Sequence, residues 1–179
     1  METTVKQSWN VDNMHSEVHF KVKHLVISTV TGSFKQFEGS IVSDSDDFDG
    51  AVASFNIDTS SVDTNVADRD AHLKSPDFFD VEKYPKISFT KGILTKTGED
   101  TYQMSGDLTI RDITKSITLD VVFGGQMKDG YGQTKAGFEI TGNINRKDFG
   151  LNWSMVTEAG GVVVGENVKL VLNIQVTKS

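Results

Sequence analysis

Cysteine is absent from this chain, which excludes a disulfide framework, a thiol nucleophile and a thiolate metal site. Only two prolines occur in 179 residues, and neither falls inside an alternating apolar run, where its missing N–H would break a ladder. No apolar run approaches the ~20 residues that a membrane-spanning helix needs. Positive charge is also in short supply: 18 Lys and Arg stand against 25 Asp and Glu, for a net charge of -7. That balance argues against a nucleic-acid backbone or an anionic membrane surface as the main partner. The opening METTVKQSWNVDNMH lacks the apolar centre of a secretory leader. As written the chain reads as cytoplasmic, and as periplasmic if a leader has been removed.

The remaining composition, 37% hydrophobic and 24% charged, is that of a chain that folds around a core. Its length reads as a single domain over residues 1–179. Alternation with period two recurs throughout, which is the signal of strands. In EVHFKVKHL the apolar set is Val18, Phe20 and Val22; in AVASFNID it is Ala51, Ala53, Phe55 and Ile57. The pattern returns at Ile87 and Phe89, at Met104, Leu108 and Ile110, and from Ile117 to Phe123. It continues at Ala136, Phe138 and Ile140, at Leu151 and Trp153, and from Val168 to Val176. So many long strands must hide their edges, and closing the sheet removes edges altogether. The expectation is an all-β antiparallel barrel of about eight strands.

The one break lies between Ser60 and Tyr84, and it predicts a short helix inserted around residues 63–80. Asp63 or Thr64 is available as N-cap, and Ser75-Pro76 resembles a second cap followed by proline. Val66 and Leu73 share one face, with Asp70 near the middle of that arc and Asp68 and His72 opposite. The helix should then lay Val66, Leu73, Phe78 and Phe79 on the barrel, with Asp70 paired to a basic partner in the seam.

Four histidines suggest a metal. On a strand, however, His15 and His19 lie ~13 Å apart and His24 points the other way, so no shared metal is expected. The acidic run SDSDDFDG fails as a calcium loop, because aligning Gly50 with the sixth position puts Ser45 and Asn56 where Asp and Glu belong. GYGQTKAG fails as a phosphate loop, since Lys135 replaces the third glycine and a strand follows. Both read as turns. Asp68, Arg69, Asp70 and His72 could supply acid–base chemistry at a mouth, yet no activated nucleophile accompanies them. An ion-paired lid helix is the reading adopted, with an enzyme as the alternative.

Several segments, in order, resemble the YceI-like family of lipid-binding proteins. They are WNVDNMHSEVHFKVKHL, RDAHLKSPDFFDVEKYPKISF, GDLTIRDITKSITL, NRKDFGLNW and VGENVKLVLNIQV, from Trp9 to Val176. Asp112 and Ser116 depart from the family's frequent glycine and proline in a hairpin turn, where Asp112 should tolerate left-handed backbone. The resemblance implies a lipocalin-like barrel holding a long-chain isoprenoid, such as a polyprenyl chain or an isoprenoid quinone, often as a homodimer and without enzymatic activity. The inward residues expected on the lipid are Phe20, Val22, Phe55, Ile57, Ile87, Phe89, Leu108, Leu119, Val121, Phe138, Trp153 and Leu170, with Leu73, Phe78 and Phe79 from the lid. Arg69, Asp70 and His72 are the candidates near its head group. A filled barrel acting only as an interaction module would show the same alternation, and the resemblance alone points to a hollow one.

Overall fold

Alternating residues make strands only where the apolar half finds a common interior, and here nearly every alternating segment does. The computed structural model describes residues 6–25, 27–44, 47–153 and 164–179. Its strands are β1 Gln7–Val11, β2 Glu17–His24, β3 Ser28–Phe34, β4 Phe37–Ser43, β5 Val52–Asp58, β6 Val62–Asp63, β7 Lys86–Lys96, β8 Thr101–Ile110, β9 Ile113–Lys128, β10 Thr134–Asn145 and β11 Val164–Lys178. One α-helix, α1 Ala67–Lys74, interrupts them.

All neighbouring strands are antiparallel, in the order β1-β4-β5-β7-β8-β9-β10-β11, and β1 pairs back to β11 to close the ring. This is the expected eight-strand barrel with one short helix. β11 serves two neighbours in turn: Lys169 to Asn173 pair with β2, whereas Val176 to Lys178 pair with β1. β1 and β2 are therefore two halves of one long strand, bent at a short 3-10 turn over Asn13–His15. Asp12 holds the bend, accepting from the Met14 amide at 3.1 Å while its other oxygen meets His15 Nδ1 at 2.8 Å and Lys135 Nζ at 3.2 Å.

Four sequence expectations are corrected. Leu151 and Trp153 lie in no strand. The chain leaves β10 through a 3-10 turn at Arg146–Phe149, reverses at Gly150 with φ 77, and gives its next carbonyls to Arg146 instead of to a ladder. The helix starts at Ala67 with Val66 as N-cap, later than either expected cap. Asp63 accepts from the Asn65 amide and β6 pairs with β3, so the chain must first turn at Asn65, φ 66. In the β8–β9 hairpin the left-handed residue is Arg111, φ 57, and not Asp112. Ser75-Pro76 begins a turn, not a second helix: the Phe78 amide donates to the Ser75 carbonyl at 3.0 Å, and the chain runs on to β7.

Candidate functional site

The two ends of the barrel differ. At one end Phe48, from the β4–β5 connection, is fully buried among Trp9, Phe123 and Phe138, with ring centroids 5.0–5.6 Å away. This phenylalanine, set between aspartates in a segment whose sequence predicts a turn, is the floor of the barrel. The Tyr102 hydroxyl donates to Asp47 at 2.7 Å, and the Lys96 amide donates to Asp49 at 2.9 Å, which pins this loop. Burial, aided by the neighbouring Asp47 carboxylate, pushes the Tyr102 phenol up to about 12. These carboxylates serve the loop, and Asn56 accepts from Ser88, so the failed calcium pattern has a structural use. Ser45, its first anchor, lies outside the described residues. The GYGQTKAG segment is likewise a turn, ordered by Asp129 accepting from the Tyr131 and Gln133 amides.

Above this floor runs an apolar cavity of about 560 Å³. Of the residues expected on its wall, Phe20, Val22, Phe55, Ile57, Ile87, Phe89, Leu108, Leu119, Trp153 and Leu170 line it, and so do Leu73, Phe78 and Phe79. Val121 and Phe138 do not: both are buried, and Phe138 packs on Phe48 at the floor. Met104, Ile110, Ile117, Ile140, Ile144 and Leu172 are among the further residues of the wall.

A barrel rich in phenylalanine stays hollow because rings lie against glycines of the adjoining strand. Phe20 faces Gly32 across β2–β3, and Phe55 faces Gly39 across β4–β5. A Cβ on Gly32 would collide with the Phe20 ring, and one on Gly39 would come within 2.5 Å of Phe55. Each ring therefore covers backbone instead of crossing the lumen.

The far end is covered by α1 and the turn behind it. Phe34 links Phe20 at 5.4 Å to Phe79 at 5.7 Å, which docks the turn on β2 and β3. The helix is rotated from its expected phase. Asp68, Arg69, His72 and Leu73 border the cavity, whereas Asp70 turns away from it. The imidazole and the aliphatic stem of Arg69 act as apolar bodies with polar tips, so the apolar face is wider than Val66 and Leu73 alone suggest. Among the described residues Asp70 has no basic partner; it accepts from the Thr64 amide at 2.8 Å and from the Thr64 hydroxyl at 2.5 Å. Arg69 turns to the same buried threonine, with Nε on its hydroxyl and Nη2 on its carbonyl, both at 2.8 Å. His72 meets Asp77 at 2.9 Å and presents its ring edge-on to Phe78 and Trp153.

Arg146 is the polar group that sequence reading missed. It is only 3% exposed, borders the cavity, and donates to the carbonyls of Leu151, Trp153, Val164 and Gly165. Desolvation lowers its pKa, with Glu166 opposing. It ties Trp153 to the start of β11 and so builds one side of the lid. No group of three metal-ligating side chains occurs among the described residues; His15 and His19 bond to Asp12 and Glu17 instead.

Residues 9–176 match the YceI-like domain family. A UPF0312 protein of Staphylococcus epidermidis is 43% identical over 162 residues, which cover 90% of this chain and 92% of the relative. The Campylobacter jejuni YCEI protein superposes with a TM-score of 0.69 at 31% identity, over 100% of this chain and 99% of that one. A polyisoprenoid binding domain from Saccharophagus degradans superposes with a TM-score of 0.67, over 94% and 97% of the two chains. At 17% identity that last likeness is one of fold alone.

Proposed function

The chain belongs to the YceI-like family, and from that membership we propose that it binds a long-chain isoprenoid-type lipid and carries or sequesters it without chemical change. The observation that carries this reading is the apolar cavity, floored by Phe48 and lidded by α1. Its volume falls in the range of ordinary ligand pockets, and its wall offers apolar surface with few polar groups, as such sites require. The fold it shares with a polyisoprenoid binding domain supports the choice of ligand class. Each methylene moved from water into the cavity contributes roughly 0.8 kcal/mol, opposed by the cost of immobilising a flexible tail. The tail would lie along Phe20 and Phe89, with the polar end toward Arg69 and His72. A polyprenyl chain and an isoprenoid quinone both meet this description, and a homodimer belongs to the same reading.

One observation favours an enzyme instead: His72, which borders the cavity, bonds to Asp77 behind it, as the base of an acid–base pair would. No cluster of metal-ligating side chains joins it among the described residues. Asp70, a member of the cluster that the enzyme alternative would use, is committed to Thr64.

Extraction of the purified protein with organic solvent, followed by mass spectrometry, tests the proposal. A stoichiometric isoprenoid is the expected result, and its mass separates a quinone from a polyprenyl chain. Protein that carries no lipid and retains none after incubation with polyprenyl alcohols would overturn it.

A further inference from the structure

The β2–β3 hairpin stands beside the cavity and does not share the chain's negative charge. From Val18 to Phe37 the sequence contains Lys21, Lys23 and Lys35 and no Asp or Glu, in a chain of net charge -7. Lys21 lies directly across from Lys169 of β11, two like charges in register on the outer face. Directly opposed like charges destabilise a sheet unless a counter-charge arrives from outside. Among the described residues none of Lys21, Lys23 and Lys169 has a carboxylate within ion-pairing distance. Just beyond these lysines, at the hairpin's tip, Ile27 is 86% exposed and Leu25 40% exposed. Lys23 and His24 border the cavity itself.

We infer that this hairpin docks the mouth of the barrel on an anionic lipid membrane, with Ile27 and Leu25 entering the interface and Lys21, Lys23 and Lys169 meeting lipid phosphates. Exposed apolar residues flanked by lysines match the two layers of a bilayer surface, apolar beneath and anionic above. The net charge of the chain does not forbid this, because carboxylates more than ~8 Å from the surface are screened at physiological ionic strength. Lys23 and His24 place the docked surface at the cavity's border, where a tail could pass between bilayer and barrel. The inference rests on the lipid-carrier reading.

The test is co-sedimentation with vesicles of phosphatidylcholine alone and of phosphatidylcholine mixed with phosphatidylglycerol. Binding is expected only to the mixed vesicles and should weaken with salt. Each lysine near an anionic surface contributes roughly fivefold in partition, so Lys21→Gln/Lys23→Gln/Lys169→Gln should bind on the order of a hundredfold more weakly. Ile27→Asp should lose roughly tenfold. Ile27→Asp should keep the parent unfolding midpoint, since Ile27 is solvent-exposed, and the lysine variant should match or exceed it, since it removes the opposed Lys21–Lys169 charges. Parent protein that carries extracted lipid yet ignores anionic vesicles, or variants that bind as the parent does, would overturn the docking and leave the carrier reading intact. Protein that binds the mixed vesicles but carries no lipid would overturn the carrier reading and leave the docking surface standing.

Discussion

Trp153 meets the edge of His72 with ring centroids 4.7 Å apart and planes at 89°, so a loop outside the sheet and the lid helix close the cavity together. An edge-to-face pair contributes about 1 kcal/mol beyond the area it buries. His72→Ala should therefore lower stability by about that amount and release bound lipid several-fold faster. Dissociation of a fluorescent polyprenyl analogue and the denaturant midpoint measure the two effects. An unchanged release rate would mean that the contact does not gate the cavity.

Asp70 and Asp68 sit two residues apart on α1 and should behave differently. Asp70→Ala strands the amide and hydroxyl of Thr64, which is buried, and releases the order that Thr64 imposes on Arg69. The expected loss is about 2 kcal/mol. Asp68→Ala removes an exposed side chain and should stay within about 0.5 kcal/mol. Urea denaturation of both variants checks this, and equal shifts would contradict the observed helix phase.

Gly32→Val probes why the barrel is hollow. The new side chain would drive the Phe20 ring off its cross-strand glycine and into the lumen. Overpacking of this kind costs about 1–3 kcal/mol. Lipid retained per protein should fall well before the fold is lost, as extraction and circular dichroism on one sample would reveal.

The bend between β1 and β2 should make stability depend on acid. Burial raises the Asp12 pKa, but the hydrogen bonds from His15 and Lys135 outweigh it, and the carboxyl ionises below its ordinary 3.8. A carboxylate depressed on folding contributes stability above its unfolded pKa and loses it as pH falls through the folded value. Asp12→Asn should lower the urea midpoint near neutral pH and flatten its decline below about pH 4. A variant that tracks the parent at every pH would remove Asp12 from the acid limb.

Much of the barrel was legible because a half-buried strand writes its parity into the sequence: Val18, Phe20 and Val22 alternate, and they point inward. The helix was legible in place but not in phase. His72 and Arg69 have apolar bodies, and a reading that sorts residues as apolar or charged puts them on the wrong side. Phe48 was hidden because one aromatic among aspartates carries no period, although an isolated phenylalanine in such a run is itself a cue. Arg146 gave no sign, since burying a guanidinium among four backbone carbonyls depends on chain segments that only the fold brings together.

The sequence by itself determined an antiparallel barrel, its inward face and a lid near residues 63–80, because side-chain alternation and local turn chemistry are short-range physics. Whether the inside was filled or hollow was decided only in three dimensions. That depends on where each ring lies across the strand gap, and Phe20 on Gly32 and Phe55 on Gly39 leave the lumen open. Phe138 has the same inward parity as the cavity wall, yet it packs on the floor because Phe48, from a distant loop, occupies the space it faces.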